Sequence, residues 1–186
     1  LGIDLLLAGS QKAFALPPGF SIFTASQAAL ERAATINDRG YYFDLIEFQK
    51  NAEKSMTPST PSIGHIYALK SKLEDFMEEG LTKRFERHSK LSKMTRDWAI
   101  NQGFTIFPEA GYESSTLTCV NNGAKSGGRE VDVVKLQGLM KERGILIDSG
   151  YGKLKGKTFR LSNMGDETNE TMESLYALLD ESLNQL

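Results

Sequence analysis

The chain opens on an apolar run, residues 3–7 (IDLLL), broken only by Asp4 and of the length and continuity of a buried strand. Small and polar residues follow at once, Ala8 to Lys12, and Pro17-Pro18-Gly19 then forces a turn. Residues 21–24 lean to β structure, and Thr24 to Gln27 matches a capping box ahead of a helical run over 27–35. Asn37 to Gly40 reads as a turn, and residues 41–54, with Leu45, Ile46 and Phe48 among aromatics, read as helical. Two prolines keep residues 55–62 (SMTPSTPS) out of any helix interior.

Three- and four-residue spacing of Ile63, Ile66, Tyr67, Leu69, Leu73, Phe76 and Met77 predicts a helix over 62–79, which Gly80 breaks. A second long helix is expected over 81–102, carrying Leu91, Met94, Trp98 and Ala99. His65 lies on the first helix and receives no role. His88 sits among charges on the second and reads as part of a solvated face. From Gly103 the pattern turns to α+β: strands at 104–107 and 115–120, a loop at 121–129, and an amphipathic helix over 130–143 ending at Gly144. A short strand at 145–147, a strand at 157–162 and a closing helix over 167–183 complete it. In residues 157–162 (KTFRLS), Phe159 and Leu161 face one way while Thr158, Arg160 and Ser162 face the other. This order suits helices packed on one face of a small sheet.

Composition adds mainly exclusions. With 186 residues the chain makes one large domain or two small ones, and 40% hydrophobic with 25% charged residues is ordinary for a soluble protein. A net charge of −2 with no basic run weighs against a nucleic-acid partner. No apolar stretch approaches ~18 residues, so no transmembrane helix is expected, and the first residues show no secretory signal. The single Cys119 excludes an internal disulfide and fits a reducing, cytoplasmic setting. No histidine has a second ligand at metal spacing, so no metal site is expected. The glycines of GAKSGG (123–128) do not match a phosphate-loop spacing.

Two cations draw attention. Lys12 follows a strand beside Ser10 and Gln11; it is either a solvated loop lysine or, if desolvated, an amine able to bind a carbonyl cofactor. Arg160, on a strand with apolar neighbours, is either a snorkelling edge residue or a fixed anion clamp. By composition alone the 55–62 segment is a linker.

Gly9-Ser10-Gln11-Lys12-Ala13, followed by Leu16-Pro17-Pro18-Gly19, resembles the cofactor-lysine segment of the class V (fold type I) aminotransferases, in particular the alanine–glyoxylate/serine–pyruvate branch. The resemblance implies that Lys12 is the general base and holds pyridoxal 5′-phosphate as a Schiff base. Gln11 would then donate to the cofactor phosphate, with Ser10 close by. It also turns the 55–62 loop from a linker into a phosphate-binding segment that reaches the partner subunit's cofactor, with Thr60 as the phosphate threonine. Thr57 falls where relatives carry tyrosine. Residues 159–166 (FRLSNMGD) are similar to the family's FRIGxMGD-type segment, whose arginine grips the substrate α-carboxylate; Leu161-Ser162 replaces the usual isoleucine-glycine and leaves Arg160 in register.

The fold implied is α/β: the C-terminal part of a fold type I large, cofactor-binding domain over 1–79, then a small α+β domain over 80–186. Class V aminotransferases are longer, with the lysine near mid-chain, so this chain looks like a C-terminal half. The implied activity moves an amino group from a small amino acid to a 2-oxo acid within an obligate homodimer with shared active sites. Two other readings stand beside it: an incomplete fragment serving only as a dimerisation or small-domain module, and a cysteine desulfurase-like relative that uses Cys119.

Overall fold

A computed structural model describes residues 2–186, the side chain of Ala124 excepted. The apolar head of the chain forms strand β1, Leu5–Gly9, antiparallel to β2, Ser21–Ala25, with Leu7 opposite Phe23. Burial of β1 was the expectation, yet Leu5, Leu6 and Leu7 are between 50% and 67% exposed. The reason is pairing: β2 is its one strand partner among the described residues, so the leucines stay open. Asp4, the polar break in the run, holds the next element in place. Its backbone carbonyl accepts from the Ser26 N–H (2.8 Å) and its Oδ1 from the Ser26 hydroxyl (2.7 Å).

Ser26 is also the N-cap of α1, Gln27–Ala34, accepting from the Ala29 N–H. The cap therefore falls two residues beyond Thr24, and it is a single side-chain cap rather than a box, since Ala29 at N3 has no polar side chain. β2 stays paired through Ala25, which leaves Thr24 extended and unable to cap. Helix α2, Leu45–Ala52, starts later than the aromatic-rich pattern suggested. Asp44 caps it, accepting from Ile46 N–H (2.9 Å) and Arg39 Nε (2.8 Å), and Tyr41, Tyr42 and Phe43 remain outside the helix and exposed. Phe48 of α2 meets Phe23 of β2 edge-on at 5.1 Å. Helix α3, Ile63–Glu79, matches its spacing.

The chain divides into two units at Asp75/Phe76. The second contains α4 (Leu81–Asn101), β3 (Thr105–Ile106), β4 (Leu117–Asn121), α5 (Val133–Glu142), β5 (Thr158–Ser162) and α6 (Asn169–Leu183). The three strands form one antiparallel sheet in the order β3-β4-β5. Residues 145–147 do not make the expected strand. The Ile145 N–H closes the end of α5 on the Met140 carbonyl, and the Ile147 carbonyl accepts from Gln137, so a single bridge, Asp148 to Arg160, is all that remains.

Alternation along β5 behaves as read. Phe159 and Leu161 are buried, with Phe104 edge-on to Phe159 at 5.2 Å. Leu91, Trp98 and Ala99 of α4, Leu136 and Met140 of α5, and Leu179 and Leu183 of α6 complete the core. Trp98 stacks on Tyr176 and donates Nε1–H to Asp180 (2.8 Å), which gives the indole its polar partner inside the packing. Capping supports two helices: Asp132 caps α5, and Thr168 with Thr171 forms a capping box at α6. Replacing Phe159 by alanine removes a fully buried ring from this core and should cost about 3–5 kcal/mol. Urea unfolding of the natural protein would show it as a lower midpoint with unchanged slope for this unit; an unchanged midpoint would contradict the packing described.

Candidate active site

Lys12 sits in the 10–20 loop that joins β1 to β2, and Ser10 anchors that loop. Ser10 is fully buried, and its N–H donates to the Phe20 carbonyl (3.2 Å) while its carbonyl accepts from Leu16 N–H (3.1 Å). Its hydroxyl donates to the Pro17 carbonyl (2.8 Å), so the proton expected near a phosphate is held inside the loop. These bonds tie the two ends together and push residues 11–13 outward, where Gln11 and Lys12 are exposed. The turn closes with Ala15 N–H on the Lys12 carbonyl (2.9 Å), and Ala15 takes φ of 53°, a left-handed conformation costing roughly 1–2 kcal/mol for a non-glycine residue. The Lys12 amine enters no ion pair among the described residues.

The loop rests on the first turn of α3 through a residue to which sequence pattern gave no role. His65 lies against Phe20 (ring centroids 5.4 Å apart) and hydrogen-bonds Ser62 Oγ through Nδ1 (2.8 Å). A Cβ on Gly19 would come within 2.5 Å of His65 Cε1, so glycine is what permits the approach. His65 Nε2 is buried and has no hydrogen-bond partner among the described residues. This contact brings the lysine loop to the helix that follows the 55–62 segment. Thr57 and Thr60 are exposed there, with the Thr57 hydroxyl donating to the Ser59 carbonyl (2.6 Å). A cleft of about 300 Å³, lined by Tyr42, Phe48, Asn51 and Ser59 among others, borders the same segment; Lys12 does not line it. Gly19→Ala should destabilise the natural protein by about 1–3 kcal/mol. Paired with His65→Ala the loss should be well below the sum of the two single changes, and additive values in that thermodynamic cycle would remove the contact.

Arg160 lies in the second unit, on β5, with Cys119 of β4 as its cross-strand neighbour. Its N–H donates to the Asp148 carbonyl (2.8 Å), and its guanidinium meets the same aspartate side chain twice, Nε to Oδ1 at 3.2 Å and Nη2 to Oδ2 at 2.8 Å. The hydrogen bond from Arg160, helped by the Gly150 N–H (2.7 Å), holds the Asp148 carboxyl below the usual carboxylate range; Asp148 in turn raises Arg160. The Tyr151 ring covers one guanidinium face at 4.2 Å. Gly150, at φ of 80°, lets the loop turn here: a Cβ would strike Thr158 Oγ1 and the Leu154 carbonyl. Asp148 and Tyr151 were not legible in sequence, because they belong to a loop with no periodicity.

The residues after Arg160 are pinned from α4. Asn163 is fully buried, donating Nδ2–H to the carbonyls of His88 and Ser115, while its own backbone carbonyl accepts from His88 Nδ1 (2.9 Å). His88 is thus only 6% exposed, which corrects its placement on a solvated face. The charges around it serve the same loop, and burial lowers the histidine's pKa. Arg84 stacks on Phe76, pairs with Glu79 (2.9 Å) and donates to the Gly165 carbonyl; Arg87 bonds Glu79 (2.6 Å) and the Glu167 carbonyl. Bonds from Arg87, then Arg84, lower Glu79 from an ordinary 4.5 to about 2. The unfolded chain therefore binds more protons between those values, and stability contributed by this carboxylate is present above pH ~4.5 and lost on acidification toward 2. Glu79→Gln should flatten that acid slope and cost about 1–2 kcal/mol at neutral pH, as acid titration of unfolding would show.

Cys119, the candidate nucleophile of the desulfurase reading, lies inside β4, and burial pushes its thiol pKa up. A reactive cysteine needs the reverse.

No protein-family model matches the chain. It is similar to an uncharacterized aminotransferase of Methanocaldococcus jannaschii, 32% identical over 99% of this chain and 47% of that protein. It is similar also to the soluble hydrogenase 42 kDa subunit of Anabaena cylindrica (32%, 100% and 47%) and to serine–glyoxylate aminotransferase of Arabidopsis thaliana (31%, 89% and 41%). Among solved structures, alanine–glyoxylate aminotransferase of Nostoc sp. superposes with a TM-score of 0.87 at 28% identity, over 98% of this chain and 48% of that one. The chain spans about half the length of the relatives it matches. Over almost its whole length, its sequence and fold are similar to about half of these aminotransferases. Within that group it matches the C-terminal half of the class V enzymes.

Proposed function

We propose that this chain is the C-terminal half of a pyridoxal 5′-phosphate-dependent aminotransferase that moves an amino group from a small amino acid, alanine- or serine-like, to a glyoxylate- or pyruvate-like 2-oxo acid. The observation that carries this is the Lys12 loop, an amine with no ion pair among the described residues, held out on a loop locked by buried Ser10, in a chain whose fold is similar over 98% of its length to an alanine–glyoxylate aminotransferase.

The residues fit a phosphorylated aldehyde. Neither the 10–20 loop nor the 55–62 segment contains an acidic residue; both offer backbone N–H and hydroxyl groups, and the first adds the Gln11 amide and the Lys12 amine. Lys12 would hold the aldehyde carbon, and Gln11 and Thr60 the phosphate, with Thr57 and Ser10 beside them. The N-terminus of α3, which begins three residues after Thr60, adds a favourable dipole for a dianion. When bound, the cofactor supplies the electron sink that the side chains lack. Lys12 is the base that carries the proton from the substrate Cα, a task a primary amine performs when freed from its carbonyl partner. Arg160 binds the α-carboxylate through charge-assisted hydrogen bonds and so presents the Cα–H bond in one orientation.

Residues 55–60 are exposed throughout, which supports their use by a second copy of the chain, and a homodimer with shared sites follows from this reading. The first unit would then be part of the cofactor-binding domain and the second the small domain. No helix of the described residues is long and apolar enough to cross a membrane. The free Cys119 supports a reducing, cytoplasmic setting.

In the natural full-length protein, Lys12→Ala should lower kcat for alanine–glyoxylate exchange by at least ~10³-fold. Arg160→Ala should raise KM for the amino donor by roughly 30-fold or more. Normal turnover in the first variant would refute the reading, and an unchanged KM in the second would remove Arg160 from the site.

A further inference from the structure

The Asp148–Arg160 pair determines how many carboxylates this site accepts. A guanidinium offers two bidentate edges that share Nη2: the Nε–Nη2 side and the Nη1–Nη2 end. Asp148 takes the first edge with both oxygens, at 3.2 and 2.8 Å, and Tyr151 covers a face. No carboxylate faces the remaining end among the described residues. The two side chains are only partly covered, Arg160 at 23% and Asp148 at 38% relative exposure, so both meet whatever enters.

Asp148 is not free to swing away. Its backbone carbonyl is bonded to the Arg160 N–H, and its Oδ1 also accepts from Gly150 N–H at 2.7 Å. The loop beyond it is closed by Gly156 N–H on the Ser149 carbonyl (3.0 Å) and by a bridge between Lys155 and Thr158. Lys153, Lys155 and Lys157 of that loop are exposed, and none pairs with Asp148. The arginine and the aspartate therefore sum to zero charge, and one bound carboxylate brings the cluster to −1.

We propose that Asp148 is a specificity-determining residue: it leaves Arg160 one end for a single carboxylate and sets a fixed negative charge that rejects donors carrying a second. The inference rests on Arg160 as the carboxylate anchor. It names the substrate class as amino acids with uncharged side chains and goes beyond the anchor itself, since an unpaired arginine would welcome a dicarboxylate.

The test uses the natural full-length protein, with kcat/KM measured for alanine and for aspartate as amino donors. Asp148→Asn keeps an acceptor for Gly150 N–H while removing the charge; Asp148→Ser serves where the first variant fails to fold. Either should raise the aspartate-to-alanine ratio of kcat/KM about tenfold, the scale of one charge pair at partly solvated separation. A purely structural role would lower both values together, and an unchanged ratio in a folded variant overturns the proposal. Arg160→Ala separates the two claims. If it raises KM for both donors while the Asp148 variants leave the ratio alone, only the specificity role fails. If it changes neither KM, the anchor reading itself fails.

Discussion

The two-residue period of β5 is the constraint on which the second unit depends. Phe159 and Leu161 must both point into the helices to close the core, and strand geometry then sends Arg160 to the other side. A slip of one residue would bury a guanidinium and expose a phenylalanine, so the same hydrophobic burial that stabilises the unit fixes the register of its functional cation. The loop residues Asp148 and Tyr151 and the pinned segment 163–167 refine a position that packing has already selected. Arg84 and Arg87 extend that logic outward from α4 with charge-assisted bonds to backbone carbonyls, and His88 with an imidazole N–H to the Asn163 carbonyl; together they hold the chain just past β5.

The first unit solves a different problem. Its functional residue stands on a loop, and loops carry little burial of their own. Rigidity comes instead from backbone-directed bonds to a single buried serine and from a glycine–histidine contact. The left-handed Ala15 is tolerated because those ties over-determine the turn. Each unit thus presents one cation on a locally fixed frame, a lysine in one and an arginine in the other, and the chemistry proposed here needs both.

Much of the fold was legible because helices and strands with one buried face write their period into the chain. α3, α4, α6 and β5 followed their patterns within a few residues. Failures cluster where tertiary contacts decide. Residues 145–147 have the right composition for a strand but place their hydrogen bonds on α5. His88 looks solvated among charges, yet those charges face a loop about 75 residues away. The burial expected of β1 assumed neighbours that the described residues do not supply. Of the candidate site, Lys12 and Arg160 stand out by motif, whereas Asp148, Tyr151 and His65 come into view only through the partners they touch.

The most direct test of the central claim is reductive trapping. Pyridoxal 5′-phosphate is added to the natural full-length protein, reduced with borohydride, and the labelled peptide identified by mass. The expected result is one phosphopyridoxyl group, on the peptide containing Lys12. Label at a different lysine, or scattered over surface lysines with Lys12 unmodified, would contradict the assignment of Lys12 and with it the proposed chemistry.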